Sequence, residues 1–228
     1  MSSLSVWVVI PAYNESQVIG EVLRQLVECD QSYNILVVDD GSSDDTVAIA
    51  NSFPVYVLAH PINLGQGAAL VTGFDYALQE KADVVVTFDA DGQMCPQDIG
   101  VLLEGLADGE TDVVLGSRFL ALSPKDIPPI KKIVLKLATV FTRIVTGLKI
   151  TDTHNGFRAF KSEALRKIIL TQNQMAHSSE ILSEIARNKL TYKEVPVTIR
   201  YTSYSKAKGQ SIFNSINILF ELLMGGKK

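Results

Sequence analysis

Short runs of aliphatic and β-branched residues alternate with longer amphipathic stretches through the first half of the chain. The runs fall at residues 6–10, 35–38, 55–58, 84–88 and 113–115. Each is almost continuously apolar, the pattern of a strand covered on both faces in a mostly parallel sheet. Residues 15–29, 44–52, 66–79 and 96–107 lie between them and carry apolar positions at helical spacing. Strand and helix in alternation predict an α/β domain with right-handed crossovers. The second half reads differently. Residues 130–150 place Ile133, Val134, Leu137, Phe141, Ile144, Val145 and Leu148 among Lys131, Lys132, Lys136, Arg143 and Lys149, with no acid. A polar loop (151–156), a strand (157–160) and a helix capped by Ser162 follow, then a second helix starting near Ser178 and Ser179. Residues 194–201 read as a strand and 212–224 as a very apolar helix before Gly-Gly-Lys-Lys.

Composition narrows the class. With 228 residues, 46% of them apolar, the chain can build one sizeable core, which excludes a disordered chain. No repeat, low-complexity segment or linker divides it, so a single domain over 1–228 is expected. The net charge of −4 gives no basic field, and nucleic acid is not an expected partner. Cys29 and Cys95 lie far apart in sequence and fit a reducing compartment better than a disulfide framework. The N-terminus lacks the positive region of a signal peptide. The charge-free stretch 46–74 is interrupted by Pro54, Pro61, Gly65, Gly67 and Gly73, which argues against a membrane-spanning helix there.

Ligands of open α/β sheets sit at the carboxyl ends of the strands. Those ends read Pro11-Ala12-Tyr13-Asn14-Glu15, Asp39-Asp40-Gly41-Ser42-Ser43-Asp44, Asn63-Leu64-Gly65-Gln66-Gly67, Asp89-Ala90-Asp91-Gly92-Gln93 and Gly116-Ser117-Arg118. Helix capping accounts for Asn14, Ser42 and Ser43. It does not account for paired acids after two strands of one sheet. Asp89 and Asp91, two apart at a strand end, can project to one side, and Gln93 adds a third oxygen at the same period. Hard divalent cations take such oxygens together with substrate phosphates. A cation there would neutralise a departing diphosphate. Asp39 and Asp40 can accept hydrogen bonds from a nucleobase or a ribose, with Tyr13 packed on the base. The glycine loop at 63–67 matches neither a dinucleotide fingerprint nor a Walker loop, but it opens a helix and can set backbone N–H groups near a nucleotide.

As an ordered set, Pro-Ala-Tyr-Asn-Glu at 11–15, Val-Val-Asp-Asp-Gly-Ser-Ser-Asp at 37–44 and Asp-Ala-Asp-Gly-Gln at 89–93 resemble the family 2 glycosyltransferases, from Val8 to about Tyr201. Asn63-Leu64-Gly65-x-Gly67, Gly116-Ser117-Arg118 and Asn155-Gly156-Phe157-Arg158 resemble more closely the branch of dolichyl- or polyprenyl-phosphate sugar synthases. The resemblance implies a GT-A fold: a Rossmann-like, mostly parallel central sheet flanked by helices, here with C-terminal amphipathic helices. Residues 1–118 would form the half that binds the nucleotide-sugar, and 119–228 the acceptor half with membrane-surface helices. It also implies a nucleotide-sugar donor, Mg2+ or Mn2+, and inversion at the anomeric carbon. Pro11, Ala12, Tyr13, Glu15, Asp39, Asp40, Gln66, Asp89, Ala90 and Asp91 would hold the donor, and Asp89, Asp91 and Gln93 the metal. The branch usually carries Lys or Arg where Gln66 stands, and Ser where Asn155 stands. Many relatives continue into transmembrane helices.

Two acceptors remain open. A phosphate brings its own anionic oxygen, since the second pKa of a phosphomonoester is about 6. It needs cations rather than a base, and Arg118, Arg158, Arg200, Lys206 and Lys208 are the candidates. A sugar hydroxyl, on a lipid-linked or cell-envelope glycan, needs a base, for which Asp152, His154 and Glu180 are available. The expected reaction is transfer from a UDP-sugar, or else a GDP-sugar, to polyprenyl phosphate, with Asp89, Asp91, Arg118 and Asp152 at the reacting centre. A nucleotide-sugar-binding subunit without catalysis is a further alternative. Residues 130–150 and 212–224, the latter with Lys227 and Lys228, suit helices lying in a membrane interface. A cytoplasmic chain peripheral on the inner membrane face is expected, helped by a small membrane protein.

Overall fold

The computed structural model describes residues 4–30, 32–120, 129–174, 176–200 and 204, with side chains from 135 onward in the helix that starts at Pro129. Seven strands form one sheet: β1 (Val6–Ala12), β2 (Asn34–Asp39), β3 (Tyr56–Ala59), β4 (Val84–Thr87), β5 (Val113–Ser117), β6 (Arg158–Lys161) and β7 (Tyr192–Pro196). Their order is β3-β2-β1-β4-β6-β5-β7. β6 runs antiparallel to β4 and β5, and the other pairings are parallel. The helices are α1 (Ile19–Cys29), α2 (Thr46–Ala50), α3 (Gln66–Gln79), α4 (Asp98–Leu106), α5 (Pro129–Thr146), α6 (Ser162–Leu165) and α7 (His177–Arg187).

The apolar runs of β1, β2, β4 and β5 are covered on both faces, whereas β3, read from its run as equally covered, lies at the sheet edge with Tyr56 exposed. Val8 and Ile10 pack with Ile19, Leu23 and Ile99 on one face, while Trp7 and Val9 join Leu70, Phe74 and Leu182 on the other. The expected mostly parallel sheet flanked by helices is what forms. Local boundaries shift for identifiable reasons. α1 starts at Ile19 rather than Glu15, because the Val18 and Ile19 N–H groups both donate to the Glu15 carbonyl in a preceding turn. The helix expected over 130–150 ends at Thr146, where Gly147 takes φ +73° and its N–H closes on the Arg143 carbonyl. The strand expected at 194–201 spans Tyr192–Pro196, and Ile199 makes an isolated bridge to Met94. The helix expected at 212–224, with Lys227 and Lys228, lies outside the described residues.

α5 is amphipathic in an unusual sense. Leu135, Ala138, Thr139 and Thr142 are buried, and both threonine hydroxyls donate to carbonyls one turn back. Leu137, Val140, Ile144 and Val145 face outward, 51–77% exposed. The outer stripe is thus more apolar than the inner one. Among the described residues, no helix is long and apolar enough to cross a membrane.

Candidate active site

The carboxyl ends of β1, β2, β3, β4 and β5 share one edge of the sheet, and their loops interlock. At the end of β1, the Asn14 N–H donates to Ser42 Oγ (2.9 Å), and Asn14 Oδ1 accepts from the Ser43 N–H (2.8 Å). Glu15 is buried, its N–H on Thr46 Oγ1 (2.9 Å) and its Oε2 accepting from the Tyr204 hydroxyl (2.7 Å). Pro11 and Ala12 belong to β1 itself, and Tyr13 stands exposed at the rim. Asp44 accepts from the Thr46 N–H at the start of α2, whereas Ser42 and Ser43, expected as helix caps, bond to Asn14 instead.

The two acids after β2 divide their tasks. Asp39 is buried. Its Oδ2 accepts from the Ser42 N–H (2.9 Å), while its Oδ1 has no hydrogen-bond partner among the described residues. A buried carboxylate oxygen left without a donor is costly unless a ligand supplies one. Asp40 is fully engaged within the protein. Oδ1 accepts from the Leu64 N–H (2.9 Å) and lies 2.8 Å from His60 Nδ1; Oδ2 accepts from the Gly65 N–H (2.7 Å).

The glycine loop differs from its expected role as a nucleotide cradle. The Leu64 and Gly65 N–H groups go to Asp40, and those of Gly67 and Ala68 to the Asn173 carbonyl. Its glycines serve close packing instead. A Cβ at Gly65 or Gly67 would lie 2.2 or 2.1 Å from the Asn173 or Gln172 carbonyl oxygen. The loop contributes a side chain rather than backbone: Gln66 Nε2 donates to Asp89 Oδ1 (3.1 Å).

Asp89 stands two residues past the central strand β4, after the buried Phe88. The Asp91 carboxylate bends back over its own turn: Oδ1 accepts from the Gln93 N–H (3.0 Å) and Oδ2 from Gln93 Nε2 (2.7 Å), with Gly92 at φ +73°. Burial pushes the Asp89 carboxyl up to about 7, and the neighbouring Asp91 charge adds to this, against the opposing pull of Arg158 and Arg118. A buried carboxyl raised by a neighbouring carboxylate charge is what a cation relieves. Among the described residues, no three His, Cys, Asp or Glu side chains group to cage a metal. Asp89 and Asp91 are hard carboxylate donors of the kind a divalent ion shares with substrate phosphates, while the Gln93 amide nitrogen is turned to Asp91 here. Gly156 packs on this site, since a Cβ there would meet Asp89 Oδ2 at 3.0 Å.

The loop 151–156 roofs the edge. Arg118, at the end of β5, donates from Nε to Asp152 Oδ2 (2.6 Å) and from Nη2 to the His154 carbonyl (3.2 Å). The pair is nearly dry, the side chains 11% and 1% exposed. Asp152 is thus an ion-pair partner, its Oδ1 also taking the His154 N–H. Arg158 is buried, donating from Nε to the Asn155 carbonyl and from Nη2 to those of Thr153 and Ser178. Burial lowers its pKa to about 10, with Asp152 and Asp89 opposing, so it remains a cation. Thr153 Oγ1, His154 Nδ1 and Asn155 Nδ2 are buried without a hydrogen-bond partner among the described residues. Burial holds the His154 imidazole below its usual range, and the two arginines add to this against Asp152. Glu180, one of three candidate bases for a hydroxyl acceptor, accepts from the Thr171 N–H and hydroxyl and from the Gln172 N–H. Its acceptor positions serve the strap over the glycine loop.

Arg200 lies apart from these residues. It lines a cavity of about 380 Å³ with Gln25, Glu28, Cys29 and Gln97, and Nη2 reaches Cys95 Sγ at 3.4 Å. Its backbone N–H holds the Gln93 carbonyl (2.8 Å), which ties this segment to the Asp91 turn. Lys206 and Lys208 lie outside the described residues. Sequence reasoning missed Glu194 and His60. Glu194 accepts from the Thr151 N–H (2.7 Å) and the Asp152 N–H (3.2 Å), fixing the roof loop from β7. An acid inside β7, between Lys193 and Val195, was the signal available for it.

Comparison with known proteins shows the family and the fold. The family model described as Glycosyl transferase family 2 matches residues 7–169. The UDP-N-acetylglucosamine–dolichyl-phosphate N-acetylglucosaminyltransferase of Methanococcus voltae is 34% identical, over 98% of this chain and 97% of that protein. The polyprenol monophosphomannose synthase of Mycolicibacterium smegmatis is 32% identical, over 90% and 82%. Among solved structures, glucosyl-3-phosphoglycerate synthase from Mycobacterium tuberculosis in complex with Mn2+, UDP and glucosyl-3-phosphoglycerate superposes with a TM-score of 0.72 at 20% identity, over 98% of this chain and 80% of that one. That likeness identifies the fold as GT-A.

Proposed function

The chain belongs to glycosyl transferase family 2, in the polyprenyl-phosphate sugar synthase branch, and we propose that it moves a sugar from a nucleoside diphosphate, UDP in preference to GDP, onto polyprenyl phosphate. The observation that carries the acceptor assignment is the engagement of the roof carboxylates. Asp152 is paired with Arg118, and Glu180 is bound to Thr171 and Gln172. A phosphate acceptor needs neither as a base. Its oxygen forms the new bond to the anomeric carbon, the bond from that carbon to the diphosphate breaks, and the electron pair leaves with the diphosphate. The configuration inverts.

Asp89, Asp91 and Gln93 would hold the divalent cation, which when bound supplies positive charge to the leaving diphosphate. A relative's solved complex containing Mn2+ and UDP supports this assignment. Asp39 Oδ1 is positioned as an acceptor for the nucleobase, with Tyr13 beside the same edge. Asp40 and Gln66 set the loop between nucleoside and metal. Arg118, paired with Asp152 at the end of β5, would set its positive charge beside a phosphate. Asp152, Glu194 and Arg158 hold the roof in place. If a sugar hydroxyl were the acceptor, His154 would be the remaining base. The test is product analysis with UDP- and GDP-sugars and short-chain polyprenyl phosphate. A sugar linked through a single phosphate is expected, and His154→Ala should retain turnover within about tenfold of the parent, since general-base loss costs about 10²-fold or more. A product lacking the lipid phosphate linkage, or a His154→Ala variant inactive although folded, would refute the acceptor assignment.

The acceptor lies in a membrane, and α5 supplies a surface for one. Its exposed Leu137, Val140, Ile144 and Val145 stand beside exposed Lys136, Arg143 and Lys149, and the helix leads directly into the roof loop. An apolar stripe bordered by cations is the pattern of a helix lying in an anionic interface. The chain would dock there from the cytoplasmic side, where nucleotide-sugars are available. Co-sedimentation with anionic vesicles at low salt should recover the parent. Ile144→Asp combined with Val145→Asp should weaken the partition about 10²-fold, because each buried aliphatic side chain contributes about 1.5 kcal/mol or more. Equal recovery of both proteins would remove α5 from the interface.

A further inference from the structure

His60 stands just past β3, outside every motif considered so far. Its backbone N–H donates to the Asp39 carbonyl (2.8 Å), which seats the ring beside the end of β2. The side chain is 11% exposed and joins two elements: Nδ1 lies 2.8 Å from Asp40 Oδ1, and Nε2 lies 2.9 Å from Thr72 Oγ1 on α3. Asp40 is buried, and its carboxylate also accepts the Leu64 and Gly65 N–H groups. A carboxylate with these partners accepts rather than donates, so the His60 proton sits on Nδ1. The neighbouring Nε2 is then free to accept from the Thr72 hydroxyl.

This one carboxylate sets the course of residues 60–65. The segment also runs against Gly41, where a Cβ would fall 2.5 Å from the Ile62 carbonyl carbon and 2.7 Å from the Asn63 nitrogen. Directly after it comes Gln66, whose amide reaches Asp89 Oδ1 at 3.1 Å. An unbroken path of contacts therefore runs from Thr72 through His60, Asp40 and the Leu64–Gly65 backbone to an aspartate of the candidate metal site. No other titratable side chain has a hydrogen bond to Asp40 among the described residues.

We propose that His60 is a positioning residue for the donor: by orienting Asp40 it fixes the loop that brings Gln66 to Asp89. It acts through Asp40 and touches neither donor nor acceptor. The inference rests on the reading of this sheet edge as the donor site. Its signature is selective, since a loosened loop weakens donor binding and leaves the acceptor half, held by Asp152 and Glu194, unchanged.

Three substitutions separate this from simple packing. The amide nitrogen of Asn reaches about where His Nδ1 sits, whereas that of Gln reaches about where Nε2 sits. His60→Asn should therefore keep the bond to Asp40, and His60→Gln and His60→Ala should lose it. The readouts are calorimetric titration with UDP and with GDP in the presence of Mn2+, and steady-state kinetics with both substrates varied. His60→Ala and His60→Gln should raise the donor KM and the nucleotide Kd about tenfold or more, with kcat and acceptor KM nearly unchanged and His60→Asn close to the parent. An unchanged donor KM in His60→Ala, or His60→Asn as impaired as His60→Ala, would overturn the proposal. Should His60→Ala not fold, Thr72→Val reads the same contact from its far side: a raised donor KM supports the path, and an unchanged one overturns it. A parent protein that binds neither nucleotide would instead overturn the donor reading, and this inference with it.

Discussion

Asp91→Ala is expected to lower sugar transfer by on the order of 10³-fold, about 4 kcal/mol of transition-state stabilisation, while leaving the fold intact. The contacts of Asp91 with Gln93 lie within its own turn, beyond the end of β4. On the proposed reading the substitution removes one carboxylate of the cation site, and with it charge that would balance a departing diphosphate. Mn2+ titration in the presence of UDP checks the cause, since the variant should bind the ion far more weakly than the parent. Protonation gives a second view of the same pair. The Asp89 carboxyl in the metal-free protein is pushed up from 3.8 to about 7, chiefly by burial and then by Asp91. A carboxyl raised in the folded state adds stability that is fully present below the unfolded value and is lost as pH rises through the folded one. Metal-free protein should therefore lose stability between about pH 4 and 7 through this group. Over the same interval Mn2+ should bind more tightly as pH rises, because the ion and the proton compete for one carboxylate.

Arg118→Ala should have the next largest effect, and it should act on stability and activity together. The substitution strands Asp152, whose side chain is 1% exposed, without its cation. Breaking a buried pair from one side costs about 3–5 kcal/mol. Thermal unfolding should show the loss directly. Adding Asp152→Asn removes the stranded charge and should recover much of the melting temperature. It should not recover turnover, because the guanidinium that faces the phosphate is still missing, and transfer should stay about 10²-fold down or lower. Recovery of both would make Arg118 a structural residue only. Arg118→Lys should fall between parent and Ala, since a lysine cannot hold the carboxylate, the His154 carbonyl and a phosphate at once.

The parts of this molecule legible in its sequence are those governed by local pattern. β1, β2 and β4 were readable as continuous apolar runs because a strand buried on both faces has no polar side. The position of Asp89 and Asp91 followed from the strand that precedes them. α3 was found to the residue, since Gly65 and the Gln66 start mark its beginning. Partner choice across the fold was not legible. Nothing local distinguishes Asp39, with one oxygen unpaired, from Asp40, which is consumed by His60, Leu64 and Gly65. Asp152 and Glu180 looked like bases because a carboxylate in a polar loop carries no sign of the Arg118 or Thr171 that will occupy it. Arg158 looked like a phosphate ligand, yet its donors go to three carbonyls from two segments. The insertion of antiparallel β6 between β4 and β5 brings Gly156 against Asp89, a long-range pairing that no local period announces.

Activity of protein stripped of divalent ions, followed by return of Mn2+ or Mg2+, tests the central assignment most directly. Transfer should vanish on chelation and return with either ion in the parent, and should fail to return in Asp91→Ala. Full transfer in the stripped enzyme, or equal restoration in the variant, would contradict a cation held between Asp89 and Asp91.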